Sequence, residues 1–144
     1  MGEPGLRVVS EELHLDTEGE GDVVDITPDL SGLLDATGLK NGLLTVFVSG
    51  STAAVTTIEF EPGLKEDLKK ALNRMVPDDI PYAHDKTWSD GNGHSHIRAS
   101  LIGPSLTIPF KDRHLTLGTW QQVVLVEMDI RSRSRQLIIQ IIGE

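Results

Sequence analysis

The sequence predicts an α+β domain built mainly on antiparallel sheet, with two to three short helices in a single domain over residues 1–144. Three observations carry this. Most apolar residues fall in short runs rich in Val, Ile, Leu and Thr, a strand composition. Few stretches repeat apolar residues at helical spacing. Strands and helices do not alternate strictly, which argues against a parallel α/β sheet.

Leu6 to Leu15 reads as a first strand, and the acidic, glycine-rich stretch Asp16 to Asp22 as a loop. Val23 to Ile26 is a short strand. Thr27-Pro28-Asp29 then opens a helix, with Thr27 as N-cap, Pro28 at the first helical position and an acid in the first turn. Leu30, Leu33 and Leu34 share its face, and Gly38 stops it. Gly42 to Val48 and Thr52 to Glu59 are strands interrupted by Ser49-Gly50-Ser51. Pro62 opens a second helix carrying Leu64, Leu68, Leu72 and Met75, and Pro77 ends it. Asp78 to Gly93 reads as polar and irregular. The remaining third is mostly strand: Leu106 to Phe110, His114 to Leu117, Gln121 to Met128 and Gln136 to Ile142, with Asp112-Arg113 as a tight turn.

Composition narrows the function. The absence of cysteine excludes disulfides, thiolate zinc sites and cysteine nucleophiles, so any metal must be held by His, Asp, Glu or water. A net charge of -9 repels nucleic acid and anionic membranes. No apolar run approaches the roughly 20 residues that span a bilayer, and no basic start or signal core opens the chain. The expectation is a cytoplasmic protein with neither nucleic acid nor membrane as partner.

His84, His94 and His96 fall within a polar segment that also carries Asp85 and Asp90. Imidazole is the commonest biological metal ligand, and a nearby carboxylate completes or orients such a site. If residues 94 to 96 are extended, both histidines point to one side and share a metal; if a helix begins there, they diverge and only one joins. The competing reading is a solvated surface loop. Gly50-Ser51-Thr52-Ala53-Ala54 offers backbone amides to an anion, but reads better as a bulge of small residues. Glu59 is a base, a ligand or a helix-start acid ahead of Pro62. Gly118-Thr119-Trp120-Gln121 either stacks on a flat ring while Thr119 and Gln121 read its edge, or is a turn with a core tryptophan. Arg131, Arg133 and Arg135 alternate with serines and suit bidentate phosphate binding, or else form a solvated hairpin tip.

Taken together, these motifs resemble the YjbQ family, also called the secondary thiamine-phosphate synthase family. The resemblance rests on Ser51 to Glu59, Tyr82-Ala83-His84-Asp85, Gly91-Asn92-Gly93-His94-Ser95-His96, Gly103-Pro104-Ser105-Leu106, Leu117 to Gln121, Glu127 and the closing Gly143-Glu144. It runs from about Gly42 to the C-terminus. It implies a compact, mostly antiparallel α+β fold, a homotrimer and a weak thiamine-phosphate synthase activity that joins a pyrimidine diphosphate to a thiazole phosphate. His84, His96 and Asn92 match the family pattern, and His94 matches a histidine of many relatives. Glu59 matches the family glutamate, although Ile58 replaces the usual asparagine before it. A further family histidine falls at Gly50, and the usual Asp-Gly-Pro-Arg turn becomes Asp129-Ile130-Arg131. Arg133 and Arg135 align with family arginines to within a residue or two.

The expected function is therefore an enzyme on a phosphorylated heterocyclic small molecule. A divalent metal such as zinc would be held by His84, His94 and His96. Glu59, His84 and His96 would be catalytic, and Asn92, Thr119, Gln121, Arg133 and Arg135 would bind substrate or phosphate. The alternatives are a metal-assisted phosphoester hydrolase and a non-catalytic, metabolite-binding trimer.

Overall fold

The computed structural model describes residues 5–144. In chain order the elements are β1 (Arg7–Asp16), β2 (Val23–Asp25), α1 (Thr27–Thr37), β3 (Gly42–Ser49), β4 (Ala53–Ile58), α2 (Pro62–Met75), α3 (Ala83–Trp88), α4 (Gly93–Ile102), β5 (Ser105–Lys111), β6 (His114–Leu115), β7 (Gln122–Glu127) and β8 (Ser134–Gly143). The fold is α+β. A five-stranded sheet runs in the order β1-β8-β3-β5-β6 and a three-stranded sheet in the order β2-β7-β4. Every strand pair is antiparallel.

Alternation along the strands builds the layers. In β3, Leu44, Val46 and Val48 face inward, opposite Ile108 and Phe110 of β5 and Leu137, Ile139 and Ile141 of β8. They pack on Val55 of β4, Val123 and Leu125 of β7, and Leu30 and Leu34 of α1. The other face of the small sheet carries Ala54, Val124 and Val126, which pack on Leu72 of α2 and Ala99 of α4. The order of layers is thus large sheet, small sheet, then α2 and α4, while α1 packs into the core between the sheets.

The strands and the first two helices agree with the sequence reading apart from their ends. Gly38 closes α1 in the left-handed conformation, as expected. Thr27 is not its N-cap. Ile26 holds that position without a side-chain cap, and Thr27 Oγ1 instead accepts a 2.7 Å hydrogen bond from the Val123 amide. Asp112 and Arg113 both have positive φ, the backbone of a tight hairpin.

The segment read as an irregular loop holds two further helices, α3 and the start of α4. In α4 the pattern is inverted: His94, Ser95 and Arg98 are buried while Ile97 and Leu101 are exposed. An apolar-stripe search misses such a helix. Gly93 is required at its start, because a Cβ there would lie 2.4 Å from Tyr82 Cβ.

Candidate functional site

The Ala53 end of β4 and the Glu127 end of β7 meet β8 at a buried polar cluster. Arg135 Nε and Nη2 donate to Glu127 Oε1 and Oε2 at 2.8 and 2.5 Å, and Nη2 also donates to Thr52 Oγ1 at 2.8 Å. The Thr52 hydroxyl in turn donates a hydrogen bond to Asp129 Oδ2 at 3.0 Å. Thr17 Oγ1 donates to Glu127 Oε1 at 2.7 Å. Glu127, Asp129 and Arg135 are all buried, so each needs these partners to offset its desolvation.

Asn92 links this cluster to α4. Its Nδ2 donates to Asp129 Oδ1 at 3.2 Å, and its Oδ1 accepts from Ser95 Oγ and the Ile130 amide at 2.8 and 3.1 Å. Burial pushes the Asp129 carboxyl up; the Arg131 amide, Thr52, Asn92 and nearby Arg133 outweigh it and hold the carboxyl below its ordinary value.

Two of the residues expected to bind substrate are therefore committed elsewhere. Asn92 is buried and positions the turn after β7 against the start of α4. Arg135 is buried against Glu127, and only its Nη1 has no hydrogen-bond partner among the described residues. That nitrogen lies behind Gly50, where a Cβ would approach it to 2.8 Å. Arg131 and Arg133 are exposed, with Arg133 Nη1 3.4 Å from Asp129 Oδ2.

The three metal-ligand histidines are divided, because a helix does begin at Gly93. Their ring nitrogens do not form one group among the described residues. His94 turns inward, its Nε2 2.6 Å from Glu20 Oε1. The same oxygen accepts from Arg98 Nη1 at 3.1 Å, and Arg98 also donates to the Val76 carbonyl and to Asn73. His96 stays at the surface and packs on His84, with ring centroids 4.4 Å apart. His84 Nδ1 is buried without a hydrogen-bond partner, 3.5 Å from Asp90 Oδ1 and 3.7 Å from Asp85 Oδ1. His84, Asp85 and Asp90 have the spacing of a cation-binding group. The sequence reading offered the two aspartates as carboxylates that complete or orient a histidine site, and α3 and its turn bring both of them to His84.

Glu59 lies elsewhere. It follows the Ile58 end of β4, opposite Thr52, and seven strand steps of about 3.3 Å put about 23 Å between those positions. Glu61, not Glu59, caps α2, accepting from the Gly63 and Leu64 amides. Glu59 shares a shallow, open cavity with Thr57, Thr119, Trp120 and Gln121. Gln121 is fixed there, its Oε1 accepting from the Gly118 amide and its Nε2 donating to Thr57. Trp120 is no core residue; it is 73% exposed.

These features define a class: an antiparallel β–β–α protein with its ionisable side chains gathered around one end of the smaller sheet. The chain belongs to the YjbQ family, whose profile, described as "UPF0047 protein YjbQ-like", matches residues 11–144. It is 37% identical over 139 residues to a UPF0047 protein of Methanothermobacter thermautotrophicus, covering 96% of this chain and 95% of that one. It is 35% identical over 121 residues to the UPF0047 protein YjbQ of Salmonella typhimurium, covering 83% and 85%. Among solved structures, a YbjQ-like protein of unknown function from Sulfolobus solfataricus matches with a TM-score of 0.89 at 32% identity, covering 97% of this chain and all of that one (100%). A hypothetical protein from Aeropyrum pernix matches at 0.86 and 35% identity, covering 94% and 99%. No helix among the described residues is long and apolar enough to cross a membrane.

Proposed function

We propose that this chain is a metal-dependent enzyme acting on a phosphorylated heterocyclic small molecule, with the cation held by His84, Asp85 and Asp90. The observation that carries this is the orphaned His84 Nδ1, a buried acceptor or donor facing two carboxylates. The donor set, one imidazole and two carboxylates, suits a divalent ion and leaves coordination positions open. A divalent cation bound there would neutralise charge on phosphate oxygens.

The chain's own residues supply the rest. His96 packs against His84 and fixes the ring. Arg131 and Arg133, exposed beside the Asn92–Asp129 link, bind phosphate. Asn92 and Arg135 are positioning residues in this reading rather than substrate ligands. His94 holds Glu20 and Arg98 and is left out of the metal set. Glu59, expected as the proton-transfer group, lies at the far end of β4 and is left out of this group. The reaction class implied by the resemblance is transfer of a pyrimidine from its diphosphate to a thiazole phosphate, in the cytoplasm and by a homotrimer.

The test is calorimetric titration of metal-free protein with zinc, cobalt, nickel and manganese. Binding should be lost in His84→Ala and retained in His94→Ala. Wild type that binds none of the four at neutral pH would sink the metal reading. Assays with the pyrimidine–thiazole pair and with simple phosphoesters then separate synthase from hydrolase; inactivity on both in a metal-loaded protein leaves metabolite binding.

A further inference from the structure

We infer that the cavity between α2 and the small sheet is a second ligand site, one that takes a small zwitterion with an apolar body, the chemistry of an aliphatic α-amino acid. It lies outside the cation group and the arginine-bearing turn proposed above, and it does not rest on that reading.

The first observation is the cavity. It holds about 180 Å³, with Val23, Val126 and Met128 on the sheet side and Leu68 and Leu72 on the helix side. An apolar cavity of about 150 Å³ takes benzene, so this one suits a similarly small body. Gly21, Lys65 and Lys69 also line the open cleft outside it, which gives a ligand its route in.

The second is the charge left over at its walls. Asp78 and Lys69 make no hydrogen bond or ion pair among the described residues, and Lys65 only rests its ammonium 4.3 Å from the centre of the Phe60 ring. Glu20 spends one oxygen: Oε1 meets His94 Nε2 at 2.6 Å and Arg98 Nη1 at 3.1 Å, while Oε2 has no partner among the described residues. Buried Arg98 is itself anchored on the Val76 carbonyl and Asn73, so it holds Glu20 in place. Glu20 and Asp78 stand together, since an oxygen of each and a ring nitrogen of His94 lie within 4.8 Å of one another.

The third is that these opposite charges do not pair. Along the chain the order is Lys65, Leu68 and Lys69, Leu72, then Asp78 beyond the end of α2, so apolar residues separate the lysines from the acid. An organic cation would meet two ammoniums here, and an organic anion two carboxylates. A zwitterion satisfies both, its ammonium on Glu20 and Asp78 and its carboxylate on Lys65 and Lys69. Its aliphatic part covers Leu68, Leu72 and Met128. A metal ion on Glu20 would instead face the Arg98 guanidinium on the same carboxylate.

Calorimetric titration of metal-free protein with L-leucine, L-methionine and L-valine tests this. Two further probes, 3-methylbutylamine and 4-methylpentanoate, keep the body of leucine and lose one pole each. At least one amino acid should saturate a single site, and the two single-pole probes should bind at least about tenfold more weakly than leucine. Lys69→Met should weaken leucine without weakening the amine, and Asp78→Asn should weaken leucine without weakening the acid. Both side chains are exposed, so unchanged melting will show intact folds. Lys70→Met, exposed on α2 outside the cavity, should bind as wild type does. No saturable binding of any amino acid up to about 10 mM, single-pole probes that match leucine, or binding unchanged in both Lys69→Met and Asp78→Asn would overturn the inference. No metal takes part in these measurements, so failure here is distinct from failure of the titration above.

Discussion

At Asp129, folding holds a buried carboxylate ionised by surrounding it with donors. Its carboxyl is below its ordinary value, so it stabilises the fold above the unfolded carboxyl range near 3.9 and loses that contribution as pH falls through the folded value. Thermal melts of wild type and Asp129→Asn from neutral pH down to pH 3 should show the gap between them narrowing on the acid side. Equal slopes would assign the acid sensitivity to other groups. Gly50 is the second informative residue. Its φ of +147° and the 2.8 Å approach to Arg135 Nη1 mean that any side chain there meets a guanidinium clamped on Glu127. Placing the family's histidine here raises turnover if the missing group is catalytic. The geometry adds a cost: Gly50→His should lower stability by about 1–3 kcal/mol through overcrowding, measured by urea denaturation, so activity must be compared at matched folded fractions.

At the level of elements, α4 decides the site. Its first turn separates His94 from His96, because successive even positions on a helix point apart where on a strand they would align. The helix was illegible because its buried face is polar, and the glycines around Asn92 read as turn punctuation. Gly93 serves close packing there, not a loop. Gly93→Ala should therefore be costly despite alanine's better helix propensity, because the new methyl would drive into Tyr82. A melt showing Gly93→Ala at or above wild type would refute that packing role. Strands β3, β5, β7 and β8 were legible to within one or two residues, since each alternates or runs apolar in a way only sheet accommodates. The third strand of the small sheet, β2, is three residues long and gains its place only by pairing with β7.

For the whole molecule, the titration of wild type and His84→Ala is the decisive measurement, since it tests whether His84, Asp85 and Asp90 act as one cation group. The sequence by itself determined the α+β class, the first two helices, most strands and the motifs of the YjbQ family, because these rest on local periodicity, turn chemistry and residue identity. Tertiary structure alone decided which motif residues meet. Arg135 is claimed by Glu127 across the turn between β7 and β8, Asn92 by Asp129 across 37 residues, and His94 by Glu20 across 74. Glu59 is carried away from Thr52 by the length of β4. Such pairings follow from sheet order and register, which join positions far apart in the chain, and no spacing within the sequence encodes them.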